Sequence, residues 1–150
     1  MRRWTTVAAA SAAVLMFGAN SSSASQTENW KAVSTNSNWH CSEYTSHVDK
    51  PGVRFKPCVV RNSNGDAQAV LVVQNVSGDP VTIDGRIVFE SQFNGDAWCA
   101  SSTLNSGYTR GCFAPTVKLS PCDPIGIAVV TLGVNGRNDT ARSEPLITTC

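Results

Sequence analysis

Charge is scarce in this chain of 150 residues. Only 15% of them are Asp, Glu, Lys or Arg, and 12 Lys+Arg against 11 Asp+Glu leave a formal net charge of +1. A nucleic-acid binder carries a clear basic excess, and an acidic disordered chain a clear negative one. The near-balance argues against both, and it offers no steering toward a membrane surface. Histidine is equally sparse, with His40 and His47 alone. There is no Gly-x-Ser-x-Gly elbow, no glycine-rich phosphate loop and no calcium-loop motif. Cys-x-x-Cys and His-x3-His spacings are missing too, which argues against a structural metal site. No segment holds helical periodicity between caps, and no fixed repeat or internal linker marks a second domain.

What is present begins with an address. Met1-Arg2-Arg3 is a basic head, residues 5–19 are apolar and alanine-rich, and Ser21 to Ser25 are small. These are the three parts of a secretory signal peptide. The apolar run is short for a membrane span of about 30 Å, so cleavage is preferred to an uncleaved anchor. Small Ser22 and Ala24 place the cut after Ala24. Removal of residues 1–24 takes Arg2 and Arg3 away and changes the formal charge to −1. The expected mature chain is secreted and extracellular, with no membrane attachment, and monomeric.

Cys41, Cys58, Cys99, Cys112, Cys122 and Cys150 then form an even set in an exported chain, for which disulfides are the default. Sequence alone does not choose the pairing. The preferred set is Cys41–Cys58, Cys99–Cys112 and Cys122–Cys150, because the first two close short loops and the third ties down the last residue.

Residues 25–38 are polar and aperiodic, and read as a flexible N-terminal arm in which Trp30 alone docks. From residue 39 to 150 the texture is strands and turns. Residues 53–60 and 67–76 are strand-like, the second almost continuously apolar. Asn64-Gly65 between them is a hairpin signal. Residues 81–89 alternate, with a bulge or bend at Asp84-Gly85. Shorter strands follow around Trp98-Cys99 and 108–113, with another at 117–119. Asn94-Gly95-Asp96 reads as a turn. Residues 125–134 run into Asn135-Gly136, and Pro145 limits the remainder to an edge strand. Short strands about ten residues apart, separated by Gly, Asn, Asp and Pro, indicate one antiparallel all-β sandwich or barrel.

Two passages carry a resemblance. The strand-turn-strand Leu71-Val72-Val73-Gln74-Asn75-Val76-Ser77-Gly78-Asp79-Pro80-Val81 resembles that of bacterial extracellular immunoglobulin-like domains. So does Val117-Lys118-Leu119-Ser120-Pro121 ahead of residues 127–132. The mature chain is similar to small secreted actinobacterial proteins of unassigned function. The resemblance implies an immunoglobulin-like β-sandwich of about seven strands, stapled by disulfides. The antibody pattern of Cys, Trp and Cys is not evident.

No catalytic constellation emerges. His40 and His47 flank Cys41 and read as surface or packing residues. Asp84, Glu90, Asp96 and Asp123 are scattered, without the paired arrangement that glycoside hydrolysis needs. The expectation is a non-catalytic binding module with no cofactor and no metal. Its partner is an extracellular protein or a polysaccharide, not nucleic acid. The leading candidate is a protein-binding or inhibitor-like surface on the segment between Cys99 and Cys112, carrying Tyr108 and Arg110. The alternative is carbohydrate or cell-envelope binding through exposed aromatics among Trp30, Trp39, Tyr44, Trp98 and Tyr108. Trp98 is the residue whose substitution would test this alternative. A structural role at the cell surface is a further alternative.

Overall fold

The β-branched runs and their Gly, Asn and Pro breaks become ten strands among the described residues. The computed structural model describes residues 26–91 and 96–147. The expected signal peptide therefore lies outside the described residues, as does Cys150 with its expected bond to Cys122. Most of the expected Asn94-Gly95-Asp96 turn lies outside them too.

The strands are β1 (Gln26–Glu28), β2 (Trp39–Cys41), β3 (Thr45–His47), β4 (Lys50–Arg61) and β5 (Ala67–Asn75), followed by β6 (Val81–Phe89), β7 (Ala97–Leu104), β8 (Thr109–Phe113), β9 (Ala128–Val134) and β10 (Arg137–Arg142). The first sheet has the order β1-β7-β6-β9-β10. The second has the order β2-β4-β5-β8, with β3 also on β4. If β4 to β10 are lettered A to G, then A, B and E share one sheet and C, F and G the other. The fourth strand, D, pairs with C. This is the immunoglobulin-like two-sheet arrangement with its D strand moved to the CFG sheet. Residues 117–119, expected as a short strand, make only a single bridge, Val117 to Ala67.

The core lies between the sheets. Phe55, Leu71 and Val73 of the second sheet meet Ile87, Val130 and Leu132 of the first. The two sheets differ on their outer faces. β6 alternates strictly from Val81 to Ile87, with Thr82, Asp84 and Arg86 exposed, so its outer face meets water. β5 is buried on both sides. Its outward Val70 and Val72 lie under Val33, Trp39 and Tyr44, beside Phe113, in a small second core. This double cover is why residues 67–76 read as a continuous apolar run. Burial pushes the Tyr44 phenol above its usual range, against an opposing pull from Arg54.

Two disulfides join described residues: Cys41–Cys58 and Cys99–Cys112. Cys41 and Cys58 are opposed directly across β2 and β4. Cys99 and Cys112 lie in the core and join β7 to β8, hence one sheet to the other.

Backbone irregularities set which side chains reach which face. Cys99 and Leu104 are five positions apart in β7 yet both are buried, which a strict two-residue period forbids. A register shift opposite Asp84, between the Ile83↔Ser102 and Gly85↔Cys99 pairs, inserts one extra β7 residue and restores the phase. The irregularity expected at Asp84-Gly85 is thus present, with the extra residue on the facing strand. The Trp30 indole N–H donates to the Ala100 carbonyl in this bulge at 2.7 Å. At Asn135-Gly136 the backbone turns with φ of 50° and 82°, the two positive values that suit a two-residue hairpin between β9 and β10.

The N-terminal arm departs from the loose segment expected from its composition. β1 pairs in parallel with β7. Further on, Lys31 and Gly111 exchange two backbone hydrogen bonds of 2.8 Å, so the arm straps together the edge strands of both sheets. Such edges carry unpaired N–H and C=O groups. The strap satisfies them with backbone, which leaves no apolar period to read. Val33 then covers Gly111, where a Cβ would stand 2.6 Å from its Cγ2.

Asp66 closes the loop between β4 and β5. It accepts a hydrogen bond from Lys118 Nζ at 2.7 Å and another from Asn62 Nδ2. The Lys118 hydrogen bond is the main cause holding this carboxyl below its ordinary 3.8, against the opposing effect of burial. A carboxyl lowered in the folded state stabilises the fold above its ordinary range and loses that contribution as pH falls through its folded value. The urea midpoint is expected to drop below about pH 4, and Lys118→Met is expected to flatten that drop. An equally steep drop in the variant would exclude the pair as its source.

Candidate functional site

Four chain reversals meet at one end of the sandwich: the β3–β4 turn, the β5–β6 turn, the β7–β8 turn and the β9–β10 hairpin. Hydrogen bonds link each to a neighbour. Val76 N–H donates to Gly52 O at 2.8 Å, and Lys50 pairs with Asp79 at 3.7 Å. Gly78 N–H donates to Ser106 Oγ at 2.9 Å. Thr82 N–H donates to Asn135 Oδ1, and Asn135 N–H donates back to Thr82 O. Arg137 reaches Asp49 at 3.4 Å.

Asn75 is the hub of this end. It is fully buried at the end of β5. Its Nδ2 donates to Asp79 O at 2.8 Å and Leu104 O at 2.9 Å. Its Oδ1 accepts from Ser77 N–H and Ser77 Oγ. Its backbone pairs with Gly107 and Tyr108. One side chain thereby fixes both the β5–β6 and β7–β8 turns. Gly107 at the tip has a φ of 89° with open space around it, so backbone conformation is what requires glycine there.

Apolar side chains emerge from this frame. Val48, Val76 and Tyr108 are 68%, 52% and 50% exposed. The Arg110 guanidinium lies 4.9 Å from the centre of the Tyr108 ring, which stiffens both side chains. Charged groups around them are mostly matched, as in the Lys50–Asp79 and Asp49–Arg137 pairs. Exposed apolar side chains set among polar groups are a common feature of protein interfaces.

The segment between Cys99 and Cys112 differs from the clamped loop expected from spacing. Most of it is strand, belonging to β7 and β8, and only residues 105–108 form an exposed turn. The structure brings Tyr108 and Arg110 together there and sets Trp98 apart. Trp98 projects from the outer face of the first sheet, six positions back along β7 from Leu104, or about 20 Å at the rise of a strand. Trp98 is 45% exposed, with the Arg86 guanidinium 5.3 Å from its ring centre. Trp30, Trp39 and Tyr44 are half-buried packing groups.

The histidines and acids do not converge. His47 is fully buried. Its Nδ1 accepts from Asp49 N–H at 3.2 Å, so the ring proton sits on Nε2, which donates to Arg137 O at 3.0 Å. Both nitrogens are thus engaged in tying β3 to β10. His40 is exposed on β2. Asp96 pairs with Arg86, Glu90 accepts from Ile127 N–H, and Asp123 accepts from Ser120 N–H. No cluster of three or more His, Cys, Asp or Glu that could hold a metal occurs among the described residues. No helix among them is long and apolar enough to cross a membrane.

Asn75, Val48 and Val76 are the site residues that sequence reasoning missed. An apolar Val76 directly before Ser77-Gly78-Asp79 was the available signal for one of them.

No family model matches the chain, and no curated protein matches it. Among solved structures it is similar to the crystal structure of the GAE domain of GGA2p from Saccharomyces cerevisiae. The sequences are 14% identical, with a TM-score of 0.34 over 67% of this chain and 94% of that one.

Proposed function

We propose that this chain is a secreted, non-catalytic binding module whose monomer engages an extracellular protein through the end of the sandwich at Tyr108. The observation that carries this reading is the half-exposed Tyr108 ring, braced by Arg110 at 4.9 Å. The turn that bears it is hydrogen-bonded to buried Asn75. Tyr and Arg dominate interface hot spots, and a surface ordered beforehand loses little entropy on binding. By analogy, antibody variable domains recognise their targets with the B–C and F–G loops; here those are the β5–β6 and β9–β10 turns. The basic-apolar-small order of residues 1–24 and the two disulfides support export to an oxidising compartment.

The experiment is capture from culture medium by the immobilised, disulfide-intact protein. Wild type is expected to retain a specific protein. Tyr108→Ala is expected to weaken its binding by about 2 kcal/mol, roughly thirtyfold, as loss of a hot-spot side chain does. Thr140→Ala, on the other sheet face, is expected to leave it unchanged. Equal retention by Tyr108→Ala would remove this surface from the reading.

A further inference from the structure

The outer face of the first sheet carries a second group of side chains, independent of the Tyr108 end. The second sheet covers its outward residues with the arm and Trp39, whereas the first leaves Thr82, Asp84 and Arg86 bare. Register places Thr27, Trp98, Arg86, Thr131 and Thr140 directly opposite one another across five strands. A second row runs Asp84, Gly133, Asn138. Together Asp84, Arg86, Trp98, Thr131 and Asn138 line a depression of about 150 Å³, the room of about five waters.

Gly133 is the unexpected residue of this face. Glycine weakens a strand interior and often marks a close approach, and the backbone at Gly133 is not among those with positive φ. What it supplies is room. A Cβ there would stand 2.2 Å from Asp84 Oδ1 and 3.0 Å from Asn138 Oδ1. Two polar side chains from different strands thus lean over one glycine. The bulge opposite Asp84 adjusts the sheet at the same point, as bulges beside binding sites do. Neither Asp84 nor Asn138 spends its side chain on a hydrogen bond among the described residues, whereas Asp96 holds Arg86 beside the Trp98 ring.

We propose that this face binds glycan, with an uncharged hexopyranose unit lying against Trp98. The side chains of this face fit that ligand. A carboxylate accepts and an amide both donates and accepts, so Asp84 and Asn138 suit adjacent ring hydroxyls. The exposed part of Trp98 suits the C–H face of the sugar. Thr131 adds a hydroxyl at the margin. Charge separates this ligand from a polyanion. Among the described residues Arg86 is paired with Asp96 while Asp84 has no ion-pair partner, so the depression holds a net negative charge that repels phosphate or uronate groups.

Affinity electrophoresis of the disulfide-intact protein through gels containing soluble neutral glucan, mannan or xylan tests this inference. Polygalacturonate serves as the anionic arm. Retardation is expected on at least one neutral polymer and not on the anionic one. Trp98→Ala and Asp84→Ala are each expected to raise the apparent dissociation constant at least tenfold, and both positions are exposed enough to leave the fold intact. Tyr108→Ala is expected to bind glycan as wild type does, which separates this face from the protein-binding end. The inference is overturned by no retardation on any neutral glycan, by retardation on polygalacturonate alone, or by unchanged binding in both face variants.

Discussion

Replacing Cys99 and Cys112 together by alanine is expected to cost about 4 kcal/mol of folding stability. The two residues are 13 apart in sequence, so reopening the loop accounts for about 3 kcal/mol through the freedom regained by the unfolded chain. The remainder comes from the core. Cys99 is 4% exposed and Cys112 fully buried. Cys99 Sγ lies 3.3 Å from the point where a Cβ on Gly85 would stand, and Leu71 Cδ2 lies 2.7 Å from it. Removing the sulfurs leaves a void between the sheets that this tightly packed place cannot easily collapse. Cys41–Cys58 is the natural control. Its separation of 17 gives a similar loop contribution, but Cys41 is exposed and buried Cys58 lies in the small outer cluster rather than between the sheets. Its double alanine variant is expected to be the more stable of the two by about 1 kcal/mol. Urea unfolding of both variants under non-reducing conditions measures the difference. Equal losses would mean that the inter-sheet bond contributes only chain restriction.

Asn75→Ala is expected to cost about 3 kcal/mol, because it strands several groups at once. Leu104 O loses its side-chain donor in a buried setting, and the Ser77 N–H and hydroxyl lose their shared acceptor. Asn75→Asp keeps the shape and is expected to do no better. It would aim a buried carboxylate at two carbonyl oxygens, those of Asp79 and Leu104, and burial of a charge without a donor is costly. Hydrogen exchange gives a local readout. The Ser77 and Gly107 amides are expected to exchange faster in both variants, and capture through Tyr108 to weaken with them. Were both turns to keep wild-type exchange, Asn75 would not be what holds this end together.

Legibility followed the range of the physical signal. The alternation in β6, the continuous β5 run and the Asn135-Gly136 hairpin are local patterns, and they appear where the residues place them. The spacing of Cys41 with Cys58 and of Cys99 with Cys112 suggested bonds that the structure contains. The arm was opaque because backbone pairing at two sheet edges leaves no side-chain period. Between the cysteines, the clamped loop proved to be mostly strand, since closeness of two sulfurs says nothing about the path between them.

By itself, then, the sequence determined an all-β sandwich, because turn chemistry and a period of two act over a few residues. Only the tertiary structure decided which side chains share a surface. Tyr108 and Arg110 meet at a turn held by buried Asn75, while Trp98 stands on another face with Asp84 and Asn138. A one-residue bulge in β7 and the crossing of the chain between sheets set that division. Both depend on the fit of two sheets across one core, which no local stretch of sequence encodes.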